Sequence, residues 1–212
     1  MTIKATSVLA MAAIWIGTAI GVAISPDAWW IVFFAFLASG AVGMSFWRRL
    51  GIPRVIAIAA VWGSIAVMVG FHADSAWAAV FAFVATGAIV YSAMRRDAYA
   101  SAFGIAAAWA ITAAVVAAHD DADATWICIF AFLTTGAVAN SFGVTRGVSA
   151  ILWWAIAGAI ILATGGDYAW LAIFAFILSA GSVGFGGGFH FPRRFEWDLF
   201  DRDDDDHARV VH

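Results

Sequence analysis

DSAWAAVFAFVATG, residues 74–87, occurs four times with small variations. Its counterparts are DAWWIVFFAFLASG at 27–40, DATWICIFAFLTTG at 123–136 and DYAWLAIFAFILSA at 167–180. Each copy opens on an acid (Asp27, Asp74, Asp123, Asp167) and places a tryptophan three residues later (Trp30, Trp77, Trp126, Trp170). Phe-Ala-Phe follows, and each copy closes on a hydroxyl and a small residue: Ser39 and Gly40, Thr86 and Gly87, Thr135 and Gly136, Ser179 and Ala180. The copies begin 47, 49 and 44 residues apart, and the apolar segment before each carries a tryptophan at a matching place: Trp15, Trp62, Trp109 and Trp154. A period of this length marks one supersecondary unit stacked on its neighbours.

The surrounding composition places that unit in a bilayer. The chain has 212 residues, 64% hydrophobic and 12% charged, with a mean hydropathy of +0.92; a soluble domain is about half apolar and about a quarter charged. A net charge of −3 and this greasiness exclude a nucleic-acid binder, a disulfide scaffold and a disordered regulator. A hydrocarbon core of roughly 30 Å needs about 20 apolar residues per helix, fewer when flanking groups reach outward. Eight stretches qualify: 7–24, 28–47, 55–71, 75–94, 99–118, 125–144, 148–164 and 168–186. None contains Asp, Glu, Lys, Arg or His. The predicted fold is therefore an all-α integral membrane protein, eight transmembrane helices arranged as four tandem two-helix repeats. The domain is 1–188, with repeats at about 5–50, 51–97, 98–146 and 147–188. An acidic tail, 189–212, follows in the cytoplasm and is expected to be disordered.

Direction follows from the bases, which resist translocation. All 11 lie at the termini or in alternate connections; the other connections carry Asp27, Asp74, Asp120, Asp121, Asp123 and Asp167 instead. Both termini are predicted to be cytoplasmic, in a prokaryotic cytoplasmic (inner) membrane. The first span has the basic start and apolar middle of a signal peptide, but as one copy of the repeated helix it is read as a span.

An even number of spans per unit keeps all copies in one orientation, unlike inverted transporter repeats. The arrangement expected is a parallel pseudo-fourfold ring, or a pseudo-twofold pairing of hairpins. Within the motif the acid is an expected helix N-cap and the tryptophan an expected interfacial anchor. At about 100° per residue the string has two faces. Tryptophan and the first phenylalanine form one. The second phenylalanine, the hydroxyl and the small residue form the other: Phe36, Ser39 and Gly40; Phe83, Thr86 and Gly87; Phe132, Thr135 and Gly136; Phe176, Ser179 and Ala180. That second face is the expected surface of close helix approach.

In a ring, Asp27, Asp74, Asp123 and Asp167 would form an acidic mouth of the kind that concentrates cations. Function is read first as non-enzymatic: a structural, accessory or stress-related membrane protein. The alternatives are a cation channel or small-solute permease using that mouth, or a membrane subunit binding lipid, quinone or pigment through the Trp and Phe faces. No catalytic, cofactor-binding or metal-binding residue is assigned, and no cofactor is expected. Lys4, the only lysine, lies outside the spans and cannot form a retinal Schiff base in the core. Cys128 is unpaired in its own chain and reads as a small buried hydrophobe. His72 and His119 read as solvated loop histidines beside acids. Gly17 and Gly21 form a small-xxx-small pair, a dimerisation cue that makes a homo-oligomer one expected partner state besides the bilayer itself. In the tail, Trp197 and Phe200 would anchor a cytoplasmic protein partner.

Ser25-Pro26 followed by Trp29, a glycine-bearing helix, a short outer turn, a second helix with a small residue and then inner arginines resemble the short-repeat bacterial and archaeal membrane proteins of the HdeD-like and SPW-repeat groups. The likeness covers most of the chain in organisation. It implies a stress-related role without a defined reaction, and it transfers no functional residue.

Overall fold

The computed structural model describes residues 3–44, 50–94, 99–119, 126–140 and 144–181. Among these, eight α-helices follow one another: α1 (Ile3–Ile24), α2 (Ile31–Met44), α3 (Ile52–Phe71), α4 (Ala79–Met94), α5 (Tyr99–Ala118), α6 (Ile127–Asn140), α7 (Val144–Ala163) and α8 (Leu171–Gly181). No strand occurs among the described residues. Short 3-10 turns, Pro26–Ala28 and Ala73–Ala78, lead into α2 and α4. Five segments are long and apolar enough to cross a membrane: Ala5–Ile24, Ile52–Phe71, Ala73–Ala93, Tyr99–Ala118 and Val144–Ala163. This is a helical membrane protein. Its surface carries Ile, Leu, Val and Phe side chains along α1, α2, α7 and α8, an apolar covering that water would not tolerate.

The helices stand in two rows. In one, α1, α3, α5 and α7 pack side by side in that order; in the other, α2, α4, α6 and α8 do the same, and each hairpin joins the rows. The expected pseudo-fourfold or pseudo-twofold closure is not observed. Each hairpin is added to the same side of the one before, and no seam joins α7 back to α1 among the described residues. Every junction uses the same two flanks of the repeated unit, and the rotation from one hairpin to the next is too small to bring the fourth back to the first.

Small residues draw the odd-numbered helices together. A Cβ on Gly17 would stand 2.9 Å from the carbonyl oxygen of Trp62, and one on Gly104 would stand 2.8 Å from that of Gly147. Gly147 in turn faces the backbone of Ala100 and Ser101 so closely that any side chain would overlap it. Gly17 and Gly21 thus seat α1 against α3 inside the chain, with Gly21 next to Ala66. The small-xxx-small pair is not an external dimer face. Gly147→Ala is expected to force α5 and α7 apart and to cost about 1–3 kcal/mol, the usual penalty of overpacking, read as a lowered unfolding midpoint in mild detergent.

Arg54 also departs from expectation. It was assigned to an inner connection, yet it lies in the first turn of α3 and is only 4% exposed. Its Nε donates to Ser92 Oγ at 2.9 Å and another guanidinium nitrogen to the Ser92 carbonyl at 3.2 Å. Its plane lies over the Tyr99 ring, 4.7 Å from the centroid. Ser92 is in the last turn of α4, where carbonyls lack helical partners, so the cation caps that end and ties α3, α4 and α5 together. Arg146, at the start of α7, donates to the Ala137 carbonyl of α6 at 3.2 Å.

Candidate functional site

The repeated string forms a linked set of side chains between the rows and along the outer turns. Its first face is as expected. Tryptophan and the first phenylalanine, four residues apart, meet edge to face in all four copies: Trp30–Phe34, Trp77–Phe81, Trp126–Phe130 and Trp170–Phe174, with centroids 5.9, 5.4, 5.3 and 5.6 Å apart. Such i,i+4 aromatic pairs stiffen the first turns of each even-numbered helix.

The second face divides. Thr86, Thr135 and Ser179 are buried, and Ser39 is half-buried. All four hydroxyls donate to the carbonyl four residues earlier: Ala35, Ala82, Ala131 and Ala175. That leaves lone pairs directed at the other row. Trp62 Nε1 donates to Thr86 Oγ1 at 3.0 Å, and Trp109 Nε1 to Thr135 Oγ1 at 3.2 Å. The recurring tryptophans of the odd-numbered helices and the hydroxyls of the even-numbered ones are therefore partners. Trp154 uses Thr134 of α6 instead, at 3.0 Å. Thr134 was not singled out beforehand, although the Thr134-Thr135 doublet occurs only in the third copy. Residues 100° apart on α6 hold indoles from α5 and α7. Thr86→Val and Thr135→Val, which leave a buried indole N–H unpaired, are each expected to cost about 1–3 kcal/mol in detergent unfolding; Thr86→Ser, which keeps the acceptor, recovers most of it.

The small residue of the motif does not mediate close approach. Gly40, Gly87 and Gly136 have nothing within 4 Å of where a Cβ would stand, and Ala180 is half-buried. Phe83, Phe132 and Phe176 are half-buried, whereas Phe36 is 66% exposed. One residue past the hydroxyl turns about 100° on the helix, enough to carry the glycine from the inter-row face to the outer one. Gly87→Ala, filling open space in a helix interior, is expected to be neutral or to stabilise by up to about 1 kcal/mol, again read from the unfolding midpoint. Between α2 and α4, Gly40 and Gly87 help line an open groove of about 630 Å³, with Leu37, Ala41 and Met44 on one side and Phe83, Ala88 and Tyr91 on the other.

Successive copies also meet through aromatic rings. Phe81 stacks on Phe132, centroids 4.4 Å apart and planes 18° apart, and Phe130 meets Phe176 at 6.5 Å. The first phenylalanine of one copy thus receives the second phenylalanine of the next.

In the turns that lead into α2 and α4, Asp27 and Asp74 are exposed and lie inside the first turns of their 3-10 segments; Ser25 and His72 occupy the capping positions, and no side chain caps either turn. Asp27 and Asp74 are therefore not the N-caps expected of them, although each carboxylate still sits at the positive end of a helix. Asp167 is exposed in the turn before α8, and Asp123 lies outside the described residues, as do Trp197 and Phe200. With the hairpins in a row, Asp27, Asp74 and Asp167 do not surround an axis. The described residues contain no cluster of three or more His, Cys, Asp or Glu able to hold a metal.

His72 is not a free loop side chain. Its Nε2–H is shared between the carbonyls of Val116 at 3.1 Å and His119 at 2.8 Å, pinning the second outer turn to the third. The His119 ring presses on Gly166, whose φ of +97° and lack of a side chain both suit the contact. Cys128 is buried, with its sulfur 3.6 Å from that of Met68.

No protein-family model matches the chain, and no curated protein or solved structure is detectably similar to it.

Proposed function

We propose that the chain is a non-enzymatic structural or accessory protein of a prokaryotic cytoplasmic membrane, crossing it eight times with both termini inside. One observation carries this reading: the buried indoles of the repeat and the threonines they meet are engaged in holding helices together. Trp62, Trp109 and Trp154 meet Thr86, Thr135 and Thr134, and Arg54 caps α4. Catalysis and ion transport need polar groups directed at a substrate path, and these groups are directed at their neighbours. The three shorter helices are counted as spans because apolar residues flank them. Residues 28–44, for example, reach about 26 Å at 1.5 Å per residue, and interfacial tryptophans cover the remainder. A stress-linked role for this scaffold rests on the HdeD-like and SPW-repeat resemblance.

Reconstitution into liposomes tests the reading. No cation or small-solute flux above that of empty vesicles is expected. Flux that disappears when Asp27, Asp74, Asp123 and Asp167 are changed together to Asn would replace the scaffold with a channel.

The groove between α2 and α4 favours a second reading, a subunit that holds lipid, quinone or pigment. Its volume lies within the roughly 300–1,000 Å³ common for small-ligand sites, and Gly40 and Gly87 keep its floor open. Organic extraction of protein purified in mild detergent is its test: an apolar molecule retained by the parent and lost on Gly87→Leu supports it, and a clean extract rejects it.

A further inference from the structure

We infer that copies of this chain join head to tail in the membrane plane, the α7–α8 edge of one against the α1–α2 edge of the next, continuing the seam that already joins successive hairpins. The inference rests on the repeated unit being a two-span hairpin, and it follows from how the exposure of equivalent positions changes across the four copies.

Val8, Val55, Ala102 and Gly147 are equivalent and face the preceding helix of their row. The last three are buried, whereas Val8, on the first described helix of the row, is 55% exposed. Trp62, Trp109 and Trp154 are buried, and Trp15 is 41% exposed. The opposite flank behaves in mirror fashion. Gly17 and Ile111 meet the following helix at Trp62 and Gly158, and the equivalent Ile156, with no following helix of its row among the described residues, is exposed. In the other row, Phe132 and Phe176 rest on the phenylalanine of the copy before. Phe36 and Phe174, 66% and 48% exposed, meet no such ring among the described residues. The α1–α2 edge and the α7–α8 edge are thus complementary halves of one junction, both open among the described residues.

The first copy keeps Trp15 and Phe36, and the fourth keeps Phe174, the residue types that meet neighbouring copies at the internal joints. Orientation permits continuation. An even number of spans in each chain puts the next copy upright with its termini on the same side, so a second chain is related to the first as one hairpin is to the next. Such a heterologous contact extends as a row, or closes as a ring when the rotation allows.

The test uses the full chain in its membrane, in a Cys128→Ala background, with a short bifunctional thiol reagent. Phe36→Cys combined with Phe174→Cys is expected to give a ladder of dimers and larger species on a denaturing gel, with neither single variant doing so. Phe81→Cys combined with Phe132→Cys is expected to cross-link within one chain, and this control checks the hairpin junction itself. The parent, excised in native nanodiscs, is expected to have a protein mass of two or more times the 22.4 kDa of one chain. A cross-linked control with a monomeric Phe36→Cys/Phe174→Cys pair and a monomeric parent would show that lipid alone covers the edges and would overturn the inference. A dimer formed by Phe36→Cys alone would also overturn it, in favour of a symmetric face-to-face contact. Failure of the control would remove the junction on which both readings depend.

Discussion

Trp109→Ala is expected to destabilise the protein by about 3–5 kcal/mol, the range for truncating a buried tryptophan, while Trp15→Ala costs about 1 kcal/mol or less, as surface changes do. The two residues are equivalent in the repeat, so composition and helix propensity cancel in the comparison. What differs is position. Trp109 is fully buried at the centre of its row and donates to Thr135 Oγ1, so its removal leaves both a large cavity and a hydroxyl facing nothing. Trp15 stands on the open flank of the first helix. Unfolding in mixed micelles at rising denaturant, followed by intrinsic fluorescence from the remaining tryptophans, reads both values. Equal losses would mean that Trp15 is covered by something other than lipid, and the head-to-tail contact predicts such equality only in assembled samples.

Arg54→Ala is expected to cost about 2–4 kcal/mol. Hydrogen bonds to a charged donor contribute about 1.5–3 kcal/mol when one side is deleted, and the stacking of the guanidinium on Tyr99 adds about 0.5–2 kcal/mol. Part of this is returned, because a cation no longer has to be held away from water. The penalty falls on the end of α4, where the Ser92 carbonyl is left with no donor in the last turn. Arg54→Lys is not expected to rescue, since an ammonium cannot reach Ser92 Oγ and its carbonyl as a planar fork while also standing over the Tyr99 ring. The measurement is the same unfolding midpoint, paired with hydrogen exchange at 89–94; the exchange of α4's last turn should rise more than that of α7.

The sequence already contained the repeated unit, the pairing of tryptophan with the first phenylalanine, and the burial of the motif hydroxyls, because helical period alone places residues on faces. It could not contain what each face meets. Gly40, Gly87 and Gly136 were expected at helix contacts and stand in open space, whereas Gly17, Gly104 and Gly147, outside the motif, make the close approaches. A glycine carries no mark of which neighbour it serves. The ring was expected for a related reason: four equal units suggest closure, but closure depends on a small rotation per junction that no residue type encodes. Arg54 was assigned to a connection because arginine in a span is costly. One turn of depth, Ser92 and Tyr99 together make its buried place tolerable. His72, expected in solvent, binds the carbonyls of Val116 and His119 because the neighbouring outer turn, remote in sequence, lies against it.

Cysteine scanning in intact cells addresses the central claim most directly. In a Cys128→Ala background, single cysteines at Asp27, Asp74, Asp123 and Asp167 are expected to react with a membrane-impermeant maleimide added outside. Cysteines at Arg48, Arg95 and Arg146 should react only after the membrane is permeabilised. Labelling of any arginine position from outside, or protection of one acid while the other three react, would contradict four identically oriented hairpins.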